Sequence, residues 1–139
     1  MIGPVRASSA ASILGPSGAW SERLARLVPL NLDEVAVRVA PGWFTRVWDK
    51  RVAAVTLPWA IYVRREQLRS PGEQLNRLLV HELVHSRQWA ELGWLRFATR
   101  YLSEYLAGRW RRLGHWRAYK SISLEREAEQ IERTVYAAT

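Results

Sequence analysis

Two histidines and a glutamate near the middle of the chain have the types and the spacing that can hold and use a metal ion. The segment HELVH at positions 81–85 matches the pattern H-E-x-x-H. On a helix, residues four apart lie on one face, so His81 and His85 can both reach one zinc ion. Glu82 lies about 100° round the helix from His81, close enough to reach a water in the open coordination position. The motif therefore predicts peptide-bond hydrolysis by a zinc-bound water that Glu82 activates.

The neighbours of the motif indicate a buried helix. They are Leu78, Leu79, Val80, Leu83 and Val84. Two histidines and a carboxylate in such an apolar helix are costly unless they are paired or bind a metal. The chain has only three histidines, and two of them fall at this spacing. A chance match is therefore the less favoured explanation.

A catalytic zinc ion usually has a third protein ligand and keeps one position for water. The extended metzincin motif would need Gly at position 88 and His at position 91, where this chain has Gln88 and Glu91. Without that glycine we expect the helix to continue straight, so Glu91 points away from the histidines. We therefore look for the third ligand on a later helix.

Three glutamates near the C-terminus can supply that ligand. A predicted helix there has an apolar stripe, with Glu125 and Glu129 on one flank and Glu127 on the other. Only one flank can face the ion, so spacing alone leaves Glu125 and Glu127 as alternatives. A solvated acidic face is the competing explanation for the segment. The stripe consists of Leu124, Ala128, Ile131 and Val135.

Two further residues are candidates for the chemistry. During hydrolysis Glu82 would take the proton of the water and pass it to the leaving amine. The oxyanion that develops needs another donor, and His115 and Tyr119 lie between the motif and the predicted ligand helix. For each of them, a packed aromatic ring with a satisfied polar tip is the simpler explanation.

The elements that must position these residues are short strands followed by helices. Alternating valines predict the first strand, and β-branched and aromatic residues predict two more on either side of Pro58. This order predicts an α+β fold, with residues 1–18 as a flexible leader and residues 19–139 as a single domain. The predicted strands are 35–39, 52–57 and 59–63. The predicted helices are 22–28 after a Ser21 cap, 73–92, 94–107 and 124–137, with breaks at Gly93, Gly108 and Gly114.

Composition limits the chemistry further. A chain of 139 residues is long enough for one domain with a modest core. It has no cysteine, which excludes disulfides, thiolate zinc sites and cysteine nucleophiles, so a metal site must use histidine and carboxylate. Neither a signal peptide nor a transmembrane helix is evident, so we expect a cytoplasmic or otherwise soluble protein.

The net charge of +8 is concentrated between positions 87 and 120. A field of this sign favours nucleic acid or an anionic membrane surface, and the alternative is core packing with a solvated cationic face. The basic residues are Arg87, Arg96, Arg100, Arg109, Arg111, Arg112, Arg117 and Lys120. The interleaved aromatic residues are Trp89, Trp94, Phe97, Tyr101, Tyr105, Trp110 and Trp116.

HELVH followed about 40 residues later by Glu-x-x-Ala-acid, at positions 125–129, resembles the gluzincin pattern of zinc metallopeptidases. The likeness covers residues 52–138 and is to small bacterial minigluzincin-type domains of the kind found near contractile injection systems, and more distantly to CAAX-protease and HtpX-like membrane peptidases. It implies a zincin-like fold: a short β-sheet followed by a buried HExxH helix and further helices.

The same resemblance implies roles for particular residues. His81, His85 and Glu125 would hold one zinc ion, and Glu129 would orient a ligand histidine, although the family usually has Asp at that position. The strand at 61–64 would form the sheet edge to which an extended peptide adds.

We therefore expect a zinc-dependent peptidase that acts on a peptide or protein. One alternative is a non-catalytic docking module that keeps the fold. Another is a protease that the basic segment recruits to nucleic acid or to a membrane. The intact Glu82 favours an enzyme, because a purely structural zinc site has no need of a general base.

Overall fold

The chain forms the mixed α and β structure that the sequence predicts, with a small sheet and one long helix. The computed structural model describes residues 8–14, 19–70 and 72–137, the side chains of 19–21 excepted. The strands are β1 (Ser8–Ser9), β2 (Ala36–Val39), β3 (Ala54–Leu57) and β4 (Ala60–Val63). The helices are α1 (Ala10–Leu14), α2 (Ala19–Leu27), α3 (Gly42–Thr45), α4 (Arg65–Leu68), α5 (Glu73–Trp110), α6 (His115–Lys120) and α7 (Ser123–Val135).

The four strands form one sheet in the order β1-β2-β4-β3. β2 runs parallel to β4, and β1 runs antiparallel to β2. β3 and β4 form an antiparallel hairpin in which Leu57 lies opposite Ala60. Pro58 occupies the turn between them, where its missing N–H costs no ladder hydrogen bond. The predicted strands and the bend at Pro58 are confirmed.

The sheet edge is not where the resemblance placed it. β4, the strand expected at the edge over 61–64, lies between β2 and β3. The hairpin places β3 on one side of β4. β2, which a longer connection separates from the hairpin, pairs in parallel with the other side of β4. β3 is therefore the outer strand, and no strand of the described residues pairs with its far side.

The motif lies in the first half of α5, which passes through the core. Leu79, Val80, Leu83 and Val84 are fully buried there, against α7 and β3. Each buried aliphatic side chain contributes about 1.5–3 kcal/mol to folding, so the packing holds this face of the helix firmly. The predicted buried helix is confirmed. In the part of the chain that the structure describes, no helix is long and apolar enough to cross a membrane.

α5 changes direction at Gly93. This residue has φ 76° and ψ 161°, a backbone conformation that side-chain-bearing residues rarely adopt. The predicted interruption is confirmed, and residues 94–110 beyond it are called the arm below. The predicted break at Gly108 is wrong, because the arm continues to Trp110. Gly108 instead allows close packing on α6: a Cβ there would lie 3.0 Å from the Cα of Ala118.

The aromatic residues of the basic segment divide between a second core and the surface. Phe97 packs with Ile122 and Leu124 between the arm and the last two helices. Core packing therefore accounts for many of these aromatics, whereas Trp94 and Trp110 are exposed. The partly buried residues around this second core are Trp89, Leu92, Tyr101, Tyr105 and Tyr119.

The N-terminal prediction needs correction. Residues 8–14 are not a flexible leader: Ser8–Ser9 pairs with β2, and Ala10 and Leu14 are buried in the main core. The rest of that predicted leader, residues 1–7 and 15–18, lies outside the described residues. α2 begins at Ala19, so Ser21 lies inside the helix rather than at its cap.

Candidate metal centre

Three side chains from two helices meet beside the sheet. His81 and His85 lie one turn apart on α5, and Glu125 comes from the first turn of α7. Oε1 of Glu125 lies 3.1 Å from Nε2 of His81 and 3.0 Å from Nε2 of His85. All three ligand atoms lie within 4.8 Å of one another. The structure thus brings both motif histidines and Glu125 into one possible metal site.

The spacing of these atoms fits a tetrahedral ion. Zinc with bonds of about 2.1 Å holds its ligand atoms roughly 3.4 Å apart. The distances from Glu125 Oε1 to His81 and His85, 3.1 and 3.0 Å, would therefore have to widen by only a few tenths of an ångström. Two imidazole nitrogens and one carboxylate oxygen are also the donor set that catalytic zinc commonly has. The residues present fit the ion.

Glu125 is held so that only one of its oxygens faces the histidines. The hydroxyl of Tyr101, on the arm, donates to Oε2 at 2.8 Å, which leaves Oε1 for the ligand position. Burial raises the pKa of Glu125, but the charge of His85 and the hydrogen bond with His81 outweigh burial and hold the pKa well below its usual range. The carboxylate is therefore ionised, as a metal ligand must be.

Gln88 orients the ring of His85. Its Oε1 lies 2.8 Å from Nδ1 of His85, while its Nε2 donates to the carbonyl oxygen of Leu124 at 3.0 Å and to Glu127 at 2.9 Å. Because the amide nitrogen has acceptors on its own side, the amide oxygen is the atom that faces the ring. Nδ1 must then carry a proton, which directs the lone pair of a neutral His85 onto Nε2.

Without a metal, His85 keeps a second proton. Burial lowers the pKa of His85, but the charge and hydrogen bond of Glu125 more than compensate and raise the pKa to about 9. Both ring nitrogens of His85 then donate, one to Gln88 and one to Glu125. A metal ion would take the place of the proton on Nε2.

Glu82 lies beside this cluster and is almost completely buried, with 5% of its surface exposed. Burial raises the pKa of its carboxyl group, although His85 and His81 oppose the shift. Oγ1 of Thr56, on β3, lies 2.6 Å from Oε2 of Glu82 and 3.2 Å from its backbone carbonyl oxygen. A carboxyl group fixed by one hydroxyl next to a possible metal site is suited to moving a proton.

The other glutamates of α7 lie elsewhere. Glu127 pairs with Arg87 and accepts from Gln88, on the flank opposite Glu125. The geometry thus selects Glu125 between the two alternatives. Glu129 pairs with Lys120 and Arg133, and Gln88, not Glu129, contacts Nδ1 of His85. Gln88 is on the same helix as His85, less than one turn away, and so contacts its ring directly. Glu129 lies on another helix, where it forms its two ion pairs.

His115 and Tyr119 differ in their closeness to the centre. Tyr119 borders both cavities that open on Glu82 and Glu125, and burial, with the charges of Glu125 and Glu82, raises the pKa of its hydroxyl. It therefore stays a proton donor. Nδ1 of His115 lies 2.6 Å from the hydroxyl of Tyr105 and its Nε2 3.8 Å from Asp49, so both ring nitrogens have other partners. The structure does not bring His115 to the histidine pair.

Two clefts meet at the cluster, and both are bordered by Glu82, Glu125 and Ala54. One, of about 560 Å³, runs between the edge strand β3 and the arm and is mostly apolar. The other, of about 530 Å³, is the more polar of the two. An extended chain lying along β3 would pass through both. The apolar cleft includes Val47, Leu57, Trp89, Phe97 and Leu102, and the polar one includes Arg51, Arg77, Lys120 and Glu132.

Sequence reasoning missed three residues that support the centre. Thr56 and Tyr101 are separated from the motif by a hairpin and by the turn at Gly93, so no local pattern signals them. In the sequence, Gln88 stands out only as the residue at the position of a metzincin glycine. Its spacing of three from His85 is a usable signal, because residues i and i+3 are neighbours on a helix surface.

The chain matches no protein-family model, and no curated protein or solved structure is significantly similar to it. The family that the motif resembles therefore stays an expectation. The geometry of the candidate centre and the chemistry of its side chains are what indicate a function.

Proposed function

We propose that the chain is a zinc-dependent peptidase. The observation that carries the proposal is the meeting of His81, His85 and Glu125 within 4.8 Å, with the buried Glu82 beside them. A site that only stabilises the fold has no need of a second carboxyl group, such as that of Glu82, outside the three candidate ligands. The zincin-like fold that the motif suggests agrees with this assignment, since a buried motif helix lies against a small sheet with an open edge.

His81, His85 and Glu125 would hold the ion. Zinc, when bound, supplies Lewis-acid activation of water and of a substrate carbonyl group. Glu82 accepts the proton of the attacking water and delivers it to the leaving amine. Thr56 keeps the Glu82 carboxyl group in one orientation, and Tyr119, which lines the same cavity, would donate to the oxyanion.

The edge strand gives a site for the substrate backbone. The carbonyl of Ala53 accepts from Arg64 on β4, so by the alternation of an antiparallel ladder Ala54 and Thr56 direct their backbone groups to the open side. The indole N–H of Trp89 already donates to the carbonyl oxygen of Thr56 at 2.9 Å. The N–H and C=O of Ala54 have no partner on any strand that the structure describes. A peptide can add there as a further strand, next to Glu82.

The second candidate is a binding module that keeps the metal but has no activity. Glu82 separates the two possibilities. Burying a carboxyl group costs several kcal/mol in an apolar setting, and one hydrogen bond to Thr56 recovers only part of that cost. Such a cost is expected at a catalytic residue and is hard to explain in a module that only docks.

A single experiment on the purified protein tests the proposal. We would measure zinc per chain by elemental analysis and cleavage of an unfolded protein by mass spectrometry, for wild type and for Glu82→Gln. The proposal expects about one zinc per chain in both proteins and cleavage by wild type alone. A wild type that stays metal-free in the presence of zinc ends the proposal. Zinc binding with no cleavage of any unfolded substrate favours the binding module instead.

A further inference from the structure

The arm carries a second apolar face that nothing in the described part of the chain covers. Its first face, around Phe97 and Tyr101, packs on the last two helices. The second consists of Leu95, Leu102 and Leu106, which are 63%, 57% and 55% exposed. At about 100° per residue these three leucines lie within roughly 40° of one another. They form a continuous ridge, called the leucine stripe below.

The leucine stripe extends toward the candidate centre. Leu102 belongs to the stripe and also lines the apolar cleft. Val47, which lines the same cleft, is 79% exposed. Apolar surface thus continues from the ridge to the mouth of the cleft. A contiguous exposed patch of this kind is typical of an interaction site, because single exposed apolar residues are common but grouped ones are not.

Unpaired positive charge lies on the arm, just beyond its end and on α6. The exposed arginines here form no ion pair with any acidic side chain that the structure describes. Glu104, the acidic residue of the arm, is already engaged by Ser123 and Arg100. The surface is therefore both apolar and cationic. The unpaired arginines are Arg96, Arg109, Arg111, Arg112 and Arg117.

Two tryptophans mark the ends of the arm. Trp94 follows Gly93 and is 69% exposed, and Trp110 closes the helix and is 89% exposed. Indole rings favour the headgroup level of a bilayer, where their apolar body and N–H group are both accommodated. Leucines between two tryptophans, with arginines around them, match the composition of helices that lie in a membrane interface.

We propose that the arm docks on an anionic phospholipid surface, with the leucine stripe at the boundary of headgroups and acyl chains and the arginines on lipid phosphates. Nucleic acid would satisfy the arginines but would gain nothing from three leucines. A second copy of the chain would cover the leucines but would bring two unpaired arginine clusters together. The docked arm would turn the mouth of the apolar cleft toward the lipid surface. This inference does not depend on zinc or on peptidase activity.

Vesicle sedimentation of the full chain tests the inference. We expect binding to vesicles of phosphatidylcholine mixed with phosphatidylglycerol, little binding to phosphatidylcholine alone, and weaker binding as salt rises. Leu95→Ser with Leu106→Ser should lower partitioning at least tenfold, since two leucines that docking would bury in the lipid are lost. Arg96→Gln with Arg109→Gln should lower it about fivefold per arginine, which is the fold-change for ~1 kcal/mol per basic residue near the surface.

Matched changes away from the arm separate docking from general charge and hydrophobicity. Arg26 and Arg38 are exposed, so Arg26→Gln with Arg38→Gln removes the same charge elsewhere. Trp59, 64% exposed in the β3–β4 turn, supplies the apolar control Trp59→Ser. Both controls should bind vesicles nearly as wild type does, and circular dichroism should show every variant folded.

Four results would overturn the inference. The first is a wild type that does not bind anionic vesicles, and the second is an equal loss of vesicle binding in the arm variants and the control variants. The third is binding to a DNA duplex that depends on the arm, without vesicle binding. The fourth is a dimer that depends on the leucines and does not bind vesicles.

Discussion

The carboxamide of Gln88 lies between His85 and α7, with its oxygen 2.8 Å from Nδ1 of the ring and its nitrogen 3.0 Å from the carbonyl oxygen of Leu124. One side chain therefore sets the tautomer of a candidate ligand and ties the motif helix to the helix that carries Glu125. Loss of this contact should affect the metal before it affects the fold.

Gln88→Met should lower zinc affinity by about 10–100-fold, the loss typical when a residue that orients a metal ligand is removed. Methionine keeps the length of the side chain but cannot accept from Nδ1 or donate to Leu124. Competition with a chromophoric chelator measures the affinity. Gln130→Met, an exposed change on α7, is the matched control and should leave it unchanged. Equal affinity in Gln88→Met and wild type would remove Gln88 from the site.

Glu125→Gln should weaken zinc binding severely, because the amide carries no charge and presents a poorer ligand atom to His81 and His85. Glu127→Gln is the matched change on the opposite flank and should cost little, since Glu127 contacts Arg87 and Gln88 rather than the two histidines. Calorimetric titration with zinc compares the two. Greater damage from Glu127→Gln would contradict the assignment of the third ligand.

Thr56→Val should keep zinc and lower kcat about tenfold. The substitution retains the shape of the side chain and removes the hydroxyl that lies 2.6 Å from Glu82, a hydrogen bond to a charged group worth about 1.5 kcal/mol. Steady-state kinetics and zinc content measured together give the test. Thr134→Val, which loses only a hydroxyl contact with the carbonyl of Gln130, is the control. Unchanged kcat in Thr56→Val would show that Glu82 needs no such support.

Zinc affinity should increase with pH. The pKa of His85 is raised from 6.5 to about 9 in the metal-free fold, so zinc must displace a proton throughout that range. Affinity should therefore rise between pH 6.5 and 9, by up to about tenfold per unit, and chelator competition at several pH values measures it. Affinity that does not change over this range would contradict the raised pKa.

The metal-free protein should show the opposite trend in stability. A raised pKa stabilises the fold fully below 6.5, and this contribution is lost as the pH rises through about 9. Thermal unfolding in a chelator should follow that loss in wild type. The dependence should be weaker in Glu125→Gln, which removes the charge that raises the pKa.

Glu104 should stabilise the junction of the arm with α7 in a pH-dependent way. Burial alone would raise its pKa, but hydrogen bonds from the hydroxyl and the backbone N–H of Ser123, then Arg100, lower the pKa. The contribution is therefore present above the usual carboxyl pKa and is lost as pH falls below it. Glu104→Gln should cost on the order of 1 kcal/mol at neutral pH, measured by denaturant unfolding. The difference in unfolding free energy between Glu104→Gln and wild type should shrink in acid. A difference that stays constant with pH would contradict the stabilising role of the Glu104 carboxylate.

The sequence by itself determined the parts of this protein that depend on local spacing. The helical positions of His81 and His85, the break at Gly93 and the turn at Pro58 each follow from the period of a helix or the backbone limits of one residue type. The apolar run around the motif likewise determined that its helix is buried. These features needed no knowledge of what packs against them.

Only the tertiary structure decided which groups meet those residues. The choice of Glu125 over Glu127 depends on the rotation of α7 about its axis, which the packing of its apolar stripe sets. The contacts of Tyr101 with Glu125 and of Thr56 with Glu82 join elements that are far apart in sequence. The edge position of β3 follows from the hydrogen bonding of β4 to two partners. Such pairings depend on the closure of the whole chain around one core, and local patterns of residues do not encode them.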